Sequence, residues 1–157
     1  MVFLPCHKLH RVILTKHEHS LSQKTRIQLA DIAPYPIITY NSESLARTRI
    51  MDAFQSKGLT INIVLSSYDA DTIKRYVLAG LGIAIVAHTV YDPKHDKGLH
   101  AIDAGHLFGS SMVHIGLRRN LHLPTYMLSF IELFAPSLHP DKVQQLIYAP
   151  SAVEEKS

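Results

Sequence analysis

The chain has 157 residues, of which 46% are apolar and 18% charged, the balance of a folded domain with a core and not of a disordered segment. Its net charge of +3 is spread thinly, Arg118-Arg119 being the densest pair, so the clustered cations of a nucleic-acid surface are missing. Cys6 is the single cysteine, which excludes an internal disulfide framework, and the longest apolar run, Val77 to Ala87, is too short to cross a bilayer.

The opening "MVFLPCHKLHR" lacks a basic segment ahead of an apolar core, so no secretory signal is expected and the cytoplasm is the expected location. "LHRVILT", Leu9 to Thr15, is β-branched and apolar and predicts a strand. A polar loop follows, then Ile27, Leu29 and Ile32 before Pro34 and Pro36 break the pattern. "PIITY" predicts a short strand. "NSES" carries the residue types that cap helices, and Leu45, Ala46, Ile50, Ala53 and Phe54 recur at the spacing of one helix face. Lys57-Gly58 closes that helix, and "TINIVLS" predicts a strand by alternation.

A second helix is expected from Ser67 or Asp69 as cap, with Ala70, Ile73 and Val77 inward and Gly80 at its end. "GIAIVA" is apolar on both sides, as in a covered parallel strand. Pro36 to Ala87 therefore reads strand, helix, strand, helix, strand, two right-handed crossovers on a mainly parallel sheet. "LHAID" and "SMVHIGLRR" predict further strands. "PTYMLSFIELFA" predicts a helix with Pro124 near its first turn, "HPDKVQQLIYA" a last helix, and "PSAVEEKS" a frayed tail.

The G-L-G of "YVLAGLGIAIVA" is not a nucleotide-binding loop. Such a loop runs strand, glycine turn, helix, so that a helix N-terminus meets the phosphate. Here a helix comes first and the strand follows. Gly80 is expected as a C-cap and Gly82 as a point of close backbone packing, and Ile85 stands where the third glycine of that motif would be.

The segment "DADTIKRYVLAGLGIAIVA" resembles the signature of the ligand-binding domain of LysR-type transcriptional regulators. "LPCHKLHR", "EHSL", "IQLADIAPYPIITY" and the run "LHAIDAGHLF…IGLRR…YMLSFIELFAP" resemble further pieces of that family's CysB subgroup, in the same order, from about Leu4 to Pro136. The resemblance implies an α/β fold of the periplasmic-binding-protein type II kind, a mainly parallel sheet with flanking helices, whose lobes hold a small effector. It further implies a cytoplasmic, dimeric transcription regulator of sulfur metabolism. Residues 1–5 would be the crossover strand, 6–118 the second lobe, 119–148 helices that rejoin the first lobe, and 149–157 a flexible tail. The family's N-terminal helix-turn-helix and the start of lobe one have no counterpart here, so this chain is expected to be a piece of a longer regulator that reads an operator only through the missing domain.

Helix N-termini and hydroxyls at the C-terminal edge of parallel strands suit an anion. That places the expected effector site at Thr39, Ser42, Ser44 and Arg47, with Ser67 and Asp69 on the neighbouring edge, and the resemblance adds Leu45 and Leu9. The subgroup carries threonine, in T-G-R-S, where Leu45 stands, and often a tryptophan where Leu9 stands. Two leucines for two polar groups favour a larger effector, such as a sulfonate, over sulfate. An acid at Asp69 would suit an amine, hence a zwitterion. Acetylated serine belongs to the same class of candidates.

Other chemistries find less support. Eleven histidines offer only His17-x-His19 as a close pair, without a zinc pattern, so no metal or cofactor is expected. Cys6 sits in "FLPC", which predicts a buried small hydrophobe and not a nucleophile. A free-standing solute-binding protein or a small cysteine-dependent enzyme are the alternatives. The face holding Tyr126, Phe130, Ile131 and Phe134 is expected to stay exposed and to favour self-association.

Overall fold

The computed structural model describes residues 1–149; the expected tail "PSAVEEKS" lies outside the described residues. The chain folds as two units, Leu9–Ser110 and a second that gathers Met1–Lys8 with the described residues from Ser111 onward.

The predicted strands and helices of the first unit occur in the expected order, joined by two short helices, Leu29–Ile32 and Gly105–Phe108, that the sequence does not predict. In chain order the elements are β1 (Val2–Lys16, from Leu9 on), α1 (Leu29–Ile32), β2 (Pro36–Tyr40), α2 (Leu45–Gln55), β3 (Asn62–Ser67), α3 (Ala70–Leu78), β4 (Ile83–Ala87), β5 (Leu99–Asp103) and α4 (Gly105–Phe108). The sheet order is β3-β2-β4-β1-β5. β2 pairs in parallel with both β3 and β4, while β1 pairs antiparallel with β4 and β5. The parallel part is the segment read as strand, helix, strand, helix, strand, and β1 makes the whole sheet mixed.

Helices cover both faces. Ile50 and Phe54 of α2 pack with Ile13, Ile37, Ile83 and Ile85 on one side. Ile73 and Val77 of α3 pack with Val12, Leu14, Ile38 and Val86 on the other. β4 is central, which explains its unbroken apolar run: all five of its residues are buried. Its isoleucine and valine side chains each contribute about 1.5–3 kcal/mol on burial.

Both glycines of the G-L-G take the roles expected of them. Gly80 has φ +78°, and around it Gly80 N–H donates to Val77 O and Leu81 N–H to Tyr76 O, a left-handed cap that ends α3. A Cβ on Gly82 would lie 2.4 Å from Pro36 O, so β2 and β4 approach closely only because position 82 has no side chain. Lys74 of α3 reaches Asp71 at 2.9 Å and Asp96 at 3.0 Å, tying the helix to the loop ahead of β5.

Three expectations are corrected. Leu45 is not on the inner stripe of α2 but 80% exposed, because five positions before Ile50 lies about 140° round the helix. β1 starts at Val2, not Leu9, since Val2 and Leu4 turn inward while Phe3 and Pro5 turn out. Cys6 is half-buried rather than buried, its S–H donating to Leu4 O within the strand.

In the second unit the first residues of β1 pair with β6 (Ser110–Leu117). Two helices follow, α5 (Thr125–Phe134) and α6 (Pro140–Tyr148). Pro124 caps α5 and Pro140 opens α6, where a missing N–H costs nothing. Val2, Leu4, Leu117, Leu128, Ile131, Val143 and Ile147 form this unit's core. Ile131 is thus buried, whereas Tyr126 is 73% and Phe130 64% exposed.

Candidate functional site

Because β2, β3 and β4 are parallel, their C-terminal ends lie at one end of the first unit's sheet. Thr39 pairs with Ser66 and Tyr40 with Ser67, so the turns that leave β2 and β3 start side by side. Both turns lead into helices, which brings the N-termini of α2 and α3 to the same rim. The Tyr68 hydroxyl donates to Glu43 Oε2 at 3.1 Å and ties one turn to the other. At β4 the Ala87 N–H donates to the Tyr40 hydroxyl at 3.0 Å. β1 runs the opposite way, with Arg11 opposite Ala87, so Leu9, half-buried, reaches this same end.

The turn after β2 is built by Asn41, whose side-chain oxygen accepts from Glu43 N–H at 3.0 Å and from the Ser42 hydroxyl at 3.2 Å. Ser44 then caps α2 by accepting from Ala46 N–H. Leu45 is the first residue of α2, its side chain turned to solvent. The first-turn N–H groups of Leu45 and Arg47 precede the helix's own acceptors and point out of its positive end. Arg47 donates to Tyr40 O at 3.4 Å, a long contact that uses one of its guanidinium donors.

On the second edge, the Ser67 hydroxyl accepts from Asp69 N–H, and Asp69 caps α3 through Thr72 N–H at 2.7 Å. The Thr72 hydroxyl, then the Thr72 N–H, hold the Asp69 carboxyl below its usual range. Asp69 is therefore ionised at neutral pH. It stabilises a cationic group near α3 and opposes an anion there.

Thr39 is different in kind. It is fully buried, and its Oγ1 has no hydrogen-bond partner. It lies on the α2 side of the sheet, as Ile37 two residues earlier packs with Ile50 and Phe54. A buried hydroxyl left unpaired costs about 1–3 kcal/mol, so structural need does not account for it.

All eight residues singled out in the sequence thus fall at one end of one sheet. Four of them, Ser42, Ser44, Ser67 and Asp69, are engaged in shaping the turns. Sequence reasoning missed Arg11, and with it His10 and His88, whose rings stack at 4.1 Å beside the same rim. The signal was present as a charged residue inside an apolar strand, "LHRVILT". Among the described residues no group of three or more His, Cys, Asp or Glu is placed to hold a metal ion.

A sheet covered on both faces, with helix N-termini gathered at its parallel edge, defines an α/β ligand-binding lobe. Residues 1–138 match the LysR substrate binding domain, and the chain belongs to that family. Curated relatives include the transcriptional regulators CysB and SsuR of Burkholderia cenocepacia. CysB is 37% identical over 94% of this chain and 47% of its own length, and SsuR 40% identical over 94% and 48%. The regulator cbl of Escherichia coli is 36% identical over 98% of this chain and 49% of its own. This chain spans about half the length of these relatives. Among solved structures, the cofactor-binding domain of the Cbl transcriptional regulator superposes with a TM-score of 0.80 at 36% identity, over 94% of this chain and 65% of that one. The effector-binding domain of QuiR in complex with shikimate, 18% identical, shares the fold at a TM-score of 0.68, over 87% of this chain and 64% of that one.

Proposed function

We propose that this chain is the effector-binding part of a LysR-type, CysB-like transcription regulator of sulfur metabolism. It binds a small anionic or zwitterionic sulfur compound and performs no chemistry on it. In this reading residues 1–5 are the crossover strand, 6–118 the second lobe and 119–148 the helices that rejoin the first. Operator DNA is left to a helix-turn-helix domain outside these residues, and the regulator works in the cytoplasm as a dimer. The regulators named among the relatives favour this over a free-standing solute-binding protein or a cysteine-dependent enzyme. Among the described residues no helix is long and apolar enough to cross a membrane.

One observation carries the reading: the unpaired, fully buried Thr39 hydroxyl at the rim where two helix N-termini meet. Hydroxyls and N–H dipoles held in place are what an oxyanion needs. Leu45 and Leu9 replace two polar groups of the subgroup, and a sulfonate carries carbon to set against them. The Asp69 carboxylate then receives an amine on the same molecule.

Calorimetry with sulfate, thiosulfate, an acetylated serine, ethanesulfonate and 2-aminoethanesulfonate tests this on the full chain. The expected result is binding of the sulfonates, the amino-sulfonate more tightly, with sulfate weaker. Tight sulfate binding and none by sulfonates would overturn the effector class.

A further inference from the structure

The rim holds a second buried polar group that the turns do not use. Arg11 is 8% exposed and belongs to β1, opposite Ala87 at the end of β4. Ile13, two residues on, packs with Ile50 and Phe54 of α2, so Arg11 lies on the α2 side of the sheet, the side of Thr39.

A guanidinium keeps its charge at neutral pH. Buried, it calls for an anionic partner, because an unpaired charge away from water is costly. The neighbourhood supplies none. Arg11 makes no ion pair with a described residue, and the charged or titratable groups that act on it are Tyr40 and Arg49, the latter of its own sign. The acid closest in register is Asp103, opposite Val12, and it is engaged by His10 Nε2 at 3.7 Å and by Gly105 N–H at 2.9 Å. Burial accordingly pulls the guanidinium below its ordinary range, Tyr40 opposing and Arg49 adding to the shift. Its nitrogens are not sealed in: among the described residues Thr39 Oγ1 alone is a buried side-chain oxygen or nitrogen without a partner.

We infer that Arg11 is the counter-charge of the effector site, binding the tetrahedral oxyanion headgroup whose remaining oxygens take the Thr39 hydroxyl and the first N–H groups of α2. The inference rests on the effector-site reading above and adds the residue that makes the site select an anion. Planar guanidinium donors match two oxygens of a sulfonate, sulfate or phosphate at once. Helix dipoles alone supply only partial charge, screened by salt. With Arg11 present, the lost threonine at Leu45 no longer prevents oxyanion binding.

NMR titration at fixed ionic strength with ethanesulfonate, sulfate, phosphate, acetate and neutral ethanesulfonamide tests it on the full chain. Arg11→Met, Arg11→Gln and Arg11→Lys are compared with Lys142→Met, which removes an exposed charge from α6. The expected result is binding of the tetrahedral oxyanions by the native chain, weaker by roughly tenfold or more in Arg11→Met and partly restored in Arg11→Lys. Lys142→Met stays native-like, and ethanesulfonamide does not respond to position 11. If Arg11→Met fails to fold, Arg11→Gln carries the same comparison. Native affinity for ethanesulfonate in Arg11→Met would overturn the role of Arg11 while leaving the effector site standing. Binding of the sulfonamide but of no anion by the native chain, preference for acetate over every tetrahedral anion, or no binding of any probe would overturn this inference; the last would remove the effector reading as well.

Discussion

Thr39 and Arg11 are the residues at which the chain departs from what folding alone asks of it. A buried threonine in a strand normally finds an acceptor, and a buried arginine an acid. Neither does so here. Thr39→Val keeps the shape and removes the unpaired hydroxyl. It is therefore expected to stabilise the ligand-free chain by about 1 kcal/mol while weakening sulfonate binding. Urea unfolding with and without ethanesulfonate reads both effects, and a loss of stability on that substitution would mean that the hydroxyl has a structural partner. Single residues are also where the sequence is hardest to read. Leu45 reads as inward because apolar spacing is counted from the first helical residue, where the face is not yet set. Arg11 reads as an ordinary strand residue, because sequence does not show whether a charge has a partner.

At the level of elements the sequence is far more legible. Caps and glycines are written locally: Ser44 opens α2, Asp69 opens α3, and Gly80 closes α3. The strand-helix-strand-helix-strand segment follows from periodicity, since each element needs only its own neighbours to be recognised. What periodicity does not give is the pairing of β1. Its antiparallel place between β4 and β5 depends on residues some seventy or more positions away, and only tertiary packing selects it. Gly82 joins the two levels. Gly82→Ala forces the backbone of Pro36 to move and is expected to cost about 2–3 kcal/mol, whereas alanine for an ordinary helix or strand glycine gains about 0.5–1 kcal/mol. Chemical denaturation measures this, and a cost under about 1 kcal/mol would show that β2 and β4 yield easily.

For the whole molecule, the two units raise different questions. The first carries the candidate effector rim. The second presents a groove of about 450 Å³ lined by Ile115, Leu117, Tyr126, Met127, Phe130 and Ile131, next to exposed aromatic rings. Apolar surface of this kind promotes association, so the chain is expected to self-associate, and Phe130→Glu to shift it towards monomer. Light scattering over a concentration series checks this, and an unchanged mass for that variant would place the contact elsewhere. In the proposed function, dipoles and buried polar groups of the first unit, meeting at the sheet's parallel edge, form a receptor for a sulfur oxyanion. Calorimetric titration of the full chain with 2-aminoethanesulfonate is the most direct measurement. Saturable binding that weakens by roughly tenfold or more in Thr39→Val is the predicted result. Absence of any binding, or binding indifferent to Thr39, would contradict it.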